Sequence, residues 1–99
     1  MWRNEVLEIK TGPENEIQLH GRFDASQADT AKVVFAMVNE TSFVDFFQLD
    51  YISSMGLGVL LMTQKRLKES GKELILINMN NHIREVFKYA GFDMIFQIK

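Results

Sequence analysis

Short strand-like segments alternate with segments of helical period along the whole chain. Residues 43–47 and 74–77 are continuous apolar runs, the first with a single internal acid. Such runs are typical of strands buried on both faces, so residues 43–47 are expected in the interior of a sheet. Strands that alternate with helices predict an α/β fold with a largely parallel sheet and right-handed crossovers.

The remaining strands are predicted near the two ends of the chain. Residues 6–9 and 17–20 alternate partly between apolar and polar side chains, and residues 11–15 are rich in turn formers. This pattern favours two strands that are joined by a turn and lie as antiparallel neighbours. Residues 94–98 predict a last short strand, and nothing in residues 1–99 resembles a linker, so the chain is expected to be one domain.

Three helices are predicted between the strands. The first follows Asp24 or Ser26 as its cap, and the third follows Asn80 or Asn81. The second begins at two serines, is apolar nearly all round in its first half and ends before Gly71. The apolar stripes of the first and third helices are Ala31, Val34, Phe35 and Val38, and Ile83, Val86, Phe87 and Ala90.

Charge and composition exclude several classes of function. The formal net charge is −2, and the basic cluster of Lys65, Arg66 and Lys68 is interpreted as the solvated end of the second helix. Binding to nucleic acid or to an anionic membrane needs a concentrated basic patch, so neither is expected. Without cysteine there is no disulfide, thiolate zinc site or cysteine nucleophile, as suits a reducing cytoplasm. No run approaches the ~20 apolar residues of a membrane span, and residues 1–5 lack the apolar core of a signal peptide.

The chain shows no set of residues typical of an enzyme. His20 and His82 stand alone, without the paired spacing of a metal site, and neither a metal nor a cofactor is expected. Gly56 and Gly58 partly match a dinucleotide-binding motif, but Leu61 stands where the third glycine should be. Nucleotide binding therefore stays an alternative, beside the interpretation that these glycines allow close packing of the helix.

Three acids are candidates for one edge of the sheet. Asp24, Asp45 and Asp50 lie near the ends of predicted strands, and the carboxyl ends of parallel strands share an edge. The alternative, unrelated surface or capping carboxylates, remains equally open. For the methionines of the second helix, Met62 is expected in the core, whereas Met55 is assigned to neither the core nor a contact surface.

The sharpest feature is the serine pair, Ser53 and Ser54, before the glycine-rich helix. One serine can cap the helix by accepting a hydrogen bond from a free backbone N–H. Alternatively, an exposed serine can accept a phosphoryl group, whose negative charge suits the positive end of the helix and alters the surface offered to a partner. Composition and spacing alone favour the capping role and leave phosphorylation as the alternative.

Residues 50–61, Asp-Tyr-Ile-Ser-Ser-Met-Gly-Leu-Gly-Val-Leu-Leu, resemble the signature segment of STAS domains, especially bacterial anti-sigma factor antagonists. Residues 21–24, Gly-Arg-Phe-Asp, resemble the family's segment before the first helix, and residues 44–46 resemble the strand that leads to the serine loop. Residues 71–74 and 83–96 continue the likeness, which thus extends over almost the whole chain. It implies the SpoIIAA-like STAS fold, a mostly parallel mixed sheet with an antiparallel N-terminal strand and helices packed on it.

The resemblance also implies a function. Members of this family are small cytosolic domains, here expected to be monomeric, that bind an anti-sigma factor. That factor is a serine kinase of the histidine-kinase-like ATPase class, and its capture frees the sigma factor for transcription. Phosphorylation of a serine ends binding, and a PP2C-type phosphatase restores it. A non-enzymatic partner switch is therefore expected, with a docking or scaffold subunit of another regulatory or transporter assembly as the alternative.

The family motif carries specific roles onto this sequence. Ser54 corresponds to the phosphoacceptor, and Ser53 is a second candidate because it replaces the acid that often precedes the acceptor. Asp24 and Asp45 correspond to acids that shape the site, and Gln48 stands where the family usually has glycine. The expected partner-binding residues are Asp24, Gln48, Ser53, Ser54, Met55, Gly56, Leu57 and Gly58.

Overall fold

The computed structural model describes residues 7–99, which form one five-stranded sheet in the order β1-β2-β3-β4-β5. The strands are β1 Glu8–Thr11, β2 Ile17–Phe23, β3 Ser42–Ile52, β4 Leu74–Ile77 and β5 Gln97–Ile98. The helices are α1 Ala28–Ala36, α2 Ser54–Lys68 and α3 Asn81–Tyr89, with 3-10 turns at Ala25–Gln27 and Phe92–Met94. The predicted order of elements is confirmed, while Val6 and the interpretation of residues 1–5 lie outside the described residues.

The mixed sheet has the predicted topology. β1 is antiparallel to β2, and the pairs β2–β3, β3–β4 and β4–β5 are parallel. The β1–β2 turn is closed by a 2.8 Å hydrogen bond from the Gly12 N–H to the Glu16 carbonyl. Asn15 takes the left-handed conformation there, with φ of 67°, which asparagine tolerates better than most residues.

One face of the sheet packs against the helices. Phe46 of β3 meets Phe87 of α3 edge to face, with ring centroids 5.7 Å apart, and both side chains are fully buried. On the same strand Phe43 is 45% and Phe47 is 73% exposed. The prediction that residues 43–47 are buried on both faces is therefore wrong, because alternate side chains of this strand point away from the helices.

β3 is longer than β2 by two residues within their paired region. Gln18 and His20 of β2 pair with Asp45 and Gln48 of β3, and a second shift follows Gly21. Each extra residue changes which side chains face the core, so the buried positions run Val44, Phe46, Leu49 and Ile52 rather than in strict alternation. These irregularities set where β3 ends, and therefore where α2 begins.

Two polar side chains fix α2 in place. Gln64 is 1% exposed; its carboxamide accepts from the Leu74 N–H at 2.7 Å and donates to the Ile95 carbonyl at 3.1 Å. The Arg66 guanidinium donates to the carbonyls of Phe35 and Val38, at 2.9 and 2.8 Å, and so satisfies groups at the end of α1. The basic cluster lies exposed in the last turn of α2, as predicted, and Arg66 in addition binds the end of α1.

α2 also has a side that the core does not cover. Met62 is 58% exposed, so its predicted place in the core is wrong. The neighbouring Thr63 and Leu67 are buried instead, at 5% and 2% exposure. The apolar first half of α2 thus presents part of its surface to solvent.

Candidate functional site

The first turn of α2 lies at the ends of β2 and β3. The Ser53 N–H donates to the Phe23 carbonyl at 2.9 Å, which extends the β2–β3 pairing to the last residue before the helix. Ser53 keeps an extended backbone and its hydroxyl accepts from the Gly56 N–H at 3.1 Å. The Leu57 N–H donates to the Ser53 carbonyl at 2.9 Å, so Ser53 is the cap of the helix.

Ser54 has a different environment from that of Ser53. It is the first helical residue and is exposed, whereas Ser53 is partly buried. Within residues 7–99 the Ser54 hydroxyl has no hydrogen-bond partner, and the adjacent Met55 is 53% exposed. One serine therefore holds the helix, and the other presents an accessible hydroxyl at the helix's positive end.

Replacing each serine by alanine should separate these two roles. Ser53→Ala removes the cap and leaves the Gly56 N–H without its partner, so we expect the free energy of unfolding to fall by about 1 kcal/mol. Ser54→Ala removes a hydroxyl that makes no intramolecular bond, so we expect a change within about 0.5 kcal/mol. Urea denaturation of both variants measures the difference, and equal losses would contradict the assignment of the cap.

The two glycines of α2 differ in what surrounds them. A Cβ on Gly56 would lie 2.9 Å from Ile52 Cγ1 and 3.0 Å from Phe23 Cγ, both in side chains of the core. A Cβ on Gly58 would meet nothing within 4 Å. Close packing against the sheet therefore explains Gly56, while Gly58 leaves an open surface beside the serines.

Alanine at these two positions should have opposite effects on stability. Gly58→Ala has free space and should raise the free energy of unfolding by about 0.5–1 kcal/mol, through its higher helix propensity. Gly56→Ala should lower it by about 1–3 kcal/mol, because the methyl overpacks Ile52 and Phe23. Thermal unfolding followed by circular dichroism gives both signs, and a loss with Gly58→Ala would show that its surface is not open.

Asp24 is brought next to the serine pair. It follows Phe23, whose carbonyl binds the Ser53 N–H. Its carboxylate accepts from the Ser26 hydroxyl at 2.6 Å and from the Ser26 N–H at 3.2 Å, which caps the turn that leads into α1. Asp24 thus caps the 3-10 turn and not α1 itself, whose N-cap Gln27 makes no side-chain capping bond, so the predicted cap of the first helix is wrong. The acid lies at the same sheet edge as the start of α2.

Asp45 and Gln48 lie elsewhere on β3. The Asp45 carboxylate accepts from the Phe47 N–H at 2.9 Å and from the Asn78 side-chain amide at 3.1 Å. Six residues of strand lie between Asp45 and Ile52, a distance of roughly 20 Å. The expectation that Asp45 shapes the serine site is therefore wrong, because this acid stabilises the end of β4 instead. Gln48 is exposed four residues before the end of β3, and Asp50 is exposed two residues before it.

Sequence reasoning missed a cation–π contact near this edge. The Arg22 guanidinium carbon lies 4.3 Å from the centre of the Tyr51 ring, and the two residues are partners in the β2–β3 register. Arg22 is one residue from the end of β2, and Tyr51 is one residue from the end of β3. A cation is thus held near the ends of β2 and β3 by a stacking contact that only the irregular register reveals.

Titratable groups offer no further site in residues 7–99. That part of the chain has no cluster of three histidine, aspartate or glutamate residues that could hold a metal ion. The pKa of Glu16 is lowered, chiefly by the hydrogen bond from the Gln18 side chain, but this residue lies in the β1–β2 turn. None of the helices between residues 7 and 99 has the length and apolar character to cross a membrane.

Comparison with known proteins matches almost the whole described chain. A family model described as "Mlab, STAS domain" matches residues 8–97. BtrV of Bordetella bronchiseptica, named as a proposed anti-sigma factor antagonist, is 46% identical over 55 residues, which are 56% of this chain and 47% of BtrV. The anti-sigma-B factor antagonist of Listeria monocytogenes is 26% identical over 102 aligned residues, covering 97% of this chain and 90% of that protein.

Solved structures show the same fold. The anti-sigma factor antagonist SpoIIAA in its unphosphorylated form has a TM-score of 0.70 at 17% identity, over 95% of this chain and 87% of that one. The phosphorylated form of SpoIIAA, a cell fate determinant of Bacillus, has a TM-score of 0.67 at 18% identity, over 95% and 91% of the two chains. The five-stranded mixed sheet with its three helices is thus a SpoIIAA-like fold, as predicted.

Proposed function

The chain belongs to the STAS domain family, and from that membership we propose that it is an anti-sigma factor antagonist whose binding is switched by phosphorylation of Ser54. The observation that carries this proposal is the difference in hydrogen bonding and exposure between the hydroxyls of the two serines. The hydroxyl of Ser53 is engaged in the helix cap, whereas that of Ser54 is exposed and makes no bond within the described residues. An acceptor must be reachable by a kinase, so Ser54 is favoured over Ser53.

The proposed interface is the surface around the start of α2. Met55 is 53% exposed beside Ser54, and the space above Gly58 is open to a partner. Asp24 borders this surface at the end of β2. A partner that covers Ser54 removes water from its hydroxyl, which a neutral serine tolerates and a phosphoserine does not.

The partner proposed for the unmodified protein is an anti-sigma factor, in keeping with the names of the relatives. More specifically, we propose a serine kinase of the histidine-kinase-like ATPase class, with a PP2C-type phosphatase that resets the switch. Both enzymes bring their own catalytic groups, so this chain supplies only the hydroxyl. The switch would operate in the cytoplasm, the reducing compartment expected of a chain without cysteine.

The proposal is tested by affinity capture from lysate with two forms of the protein as bait. Ser54→Ala should retain an ATPase kinase that mass spectrometry identifies, and Ser54→Asp should lose it. Ser70→Asp serves as the matched control, because Ser70 is exposed in the turn after α2 and should keep the partner. Equal retention by Ser54→Ala and Ser54→Asp would overturn the phosphorylation switch.

A second candidate function is docking within another regulatory or transporter assembly. The matching family model carries the description "Mlab, STAS domain" rather than that of an anti-sigma factor antagonist, which favours keeping this alternative. The same capture experiment distinguishes the two. Recovery of transporter subunits or other STAS proteins, without an ATPase kinase, would support docking in such an assembly.

A further inference from the structure

A groove of about 480 Å³ runs between α1 and α2, on the side of α2 away from the sheet. Its floor is formed by Ala36, Val59, Met62 and Thr63. The Thr63 hydroxyl donates to the Val59 carbonyl at 2.9 Å, so its polar atom is engaged within the helix. With Met62 58% exposed, the groove offers apolar surface that the described residues leave uncovered.

The walls of this groove are positively charged. Lys32 stands on α1, Lys65 and Arg66 stand on α2, and Glu69 is the one acid among the lining residues. Three cations against one acid give a local charge of +2, opposite in sign to the chain's net charge of −2. Within residues 7–99 neither Lys32 nor Lys65 forms an ion pair, whereas Arg66 is engaged by the carbonyls at the end of α1.

We propose that this groove binds an amphipathic helix of a partner protein, with acidic residues flanking its apolar face. Two helices packed side by side leave a groove into which the ridge of a third can fit. A half-exposed methionine in the floor adapts to different apolar side chains. Because one free lysine stands on each wall, acids on both sides of the incoming apolar face find a cation.

Most of this surface lies further along α2 than Ser54, although Met62 shares a helix face with Met55 and Gly58 of the proposed interface. Val59, the groove residue nearest to Ser54 in sequence, lies about 7.5 Å further along the axis of α2. Lys65 and Arg66 lie two further turns away along the same helix. The groove therefore stays available when Ser54 is modified, so the protein can hold one partner through the groove while it releases another.

The test uses a synthetic helical peptide with leucine at helix-face spacing and glutamate on both flanks, and a second peptide in which lysine replaces every glutamate. We expect the acidic peptide to shift the amide resonances of Val59, Met62 and Thr63, and the basic peptide to leave them unchanged. Lys32→Glu combined with Lys65→Glu should weaken binding of the acidic peptide by about tenfold or more. Arg84→Glu with Lys88→Glu, the same charge change on α3, should leave its affinity unchanged.

Peptide binding by Ser54→Asp distinguishes failure of this inference from failure of the proposed function, on which it does not depend. It should bind the acidic peptide as the unmodified protein does, even where it loses the kinase. No shift at the groove at millimolar peptide, equal shifts with both peptides, or equal weakening by the two charge-reversed proteins would each overturn the proposal.

Discussion

Replacing Gln64 with leucine should lower the free energy of unfolding by about 2–4 kcal/mol. Leucine has a similar size, so packing is largely kept, but the Leu74 N–H and the Ile95 carbonyl both lose their partner. A buried polar group without a partner is worth about 1–3 kcal/mol of destabilisation. For a chain of this length the melting temperature should fall by roughly 10–25 °C, which calorimetry measures directly.

The matched control for this substitution is Met62→Leu on the same helix. Met62 is 58% exposed and takes no part in the Gln64 hydrogen bonds, so its replacement should change the free energy of unfolding by less than about 0.5 kcal/mol. Hydrogen exchange at the Leu74 amide adds a local measurement, since its protection should fall in Gln64→Leu. If the melting temperature of Gln64→Leu stayed within a few degrees of that of the parent, the two Gln64 hydrogen bonds would contribute little to stability.

Phosphorylation of Ser54 should weaken binding of the kinase partner by at least about 100-fold, or about 2.8 kcal/mol. A phosphoserine carries a charge of about −1.5 to −2 and must lose its water when the partner covers the start of α2. The fold itself should be unaffected, because negative charge is favourable at a helix N-terminus. Titration calorimetry with the phosphorylated and unmodified proteins measures the change in affinity.

The acceptor is identified by incubating alanine variants with the kinase and ATP. Ser53→Ala should still take up a phosphoryl group, although it loses the helix cap, whereas Ser54→Ala should take up none. Ser70→Ala controls for modification elsewhere, since Ser70 is exposed but lies after α2. Incorporation into Ser54→Ala at the parent rate would assign the switch to another residue.

Local periodicity was sufficient to predict the type and order of the five strands and the three α-helices. It did not predict the 3-10 turns, and the second of them includes Met94, which was expected in the last strand. Each predicted stripe is buried at its centre, at Phe35 and Phe87, but Ala90 at the end of the second stripe is exposed. Periodicity failed on β3, which was predicted over residues 43–47 but extends over Ser42–Ile52. The two register shifts interrupt its alternation, and such shifts depend on the partner strand rather than on the sequence of β3 itself.

The candidate site was predictable in its location but not in its contacts. The segment from Ser53 to Gly58 could be identified, yet which serine caps α2 depends on the direction of the incoming strand. Asp45 was misplaced, because nothing in the sequence indicates how far β3 continues beyond it. The contacts of Gln64 and Arg66 join residues about thirty positions apart, beyond the reach of any local pattern.

The close seating of Gly56 on Phe23 and Ile52 has a consequence for how the protein transmits a signal. The first turn of α2 is wedged against the sheet and tied by its cap, so we expect modification of Ser54 to change the surface without moving the helix. The amount of partner released should therefore rise in direct proportion to the fraction of molecules modified. The response is expected to be graded, without a threshold.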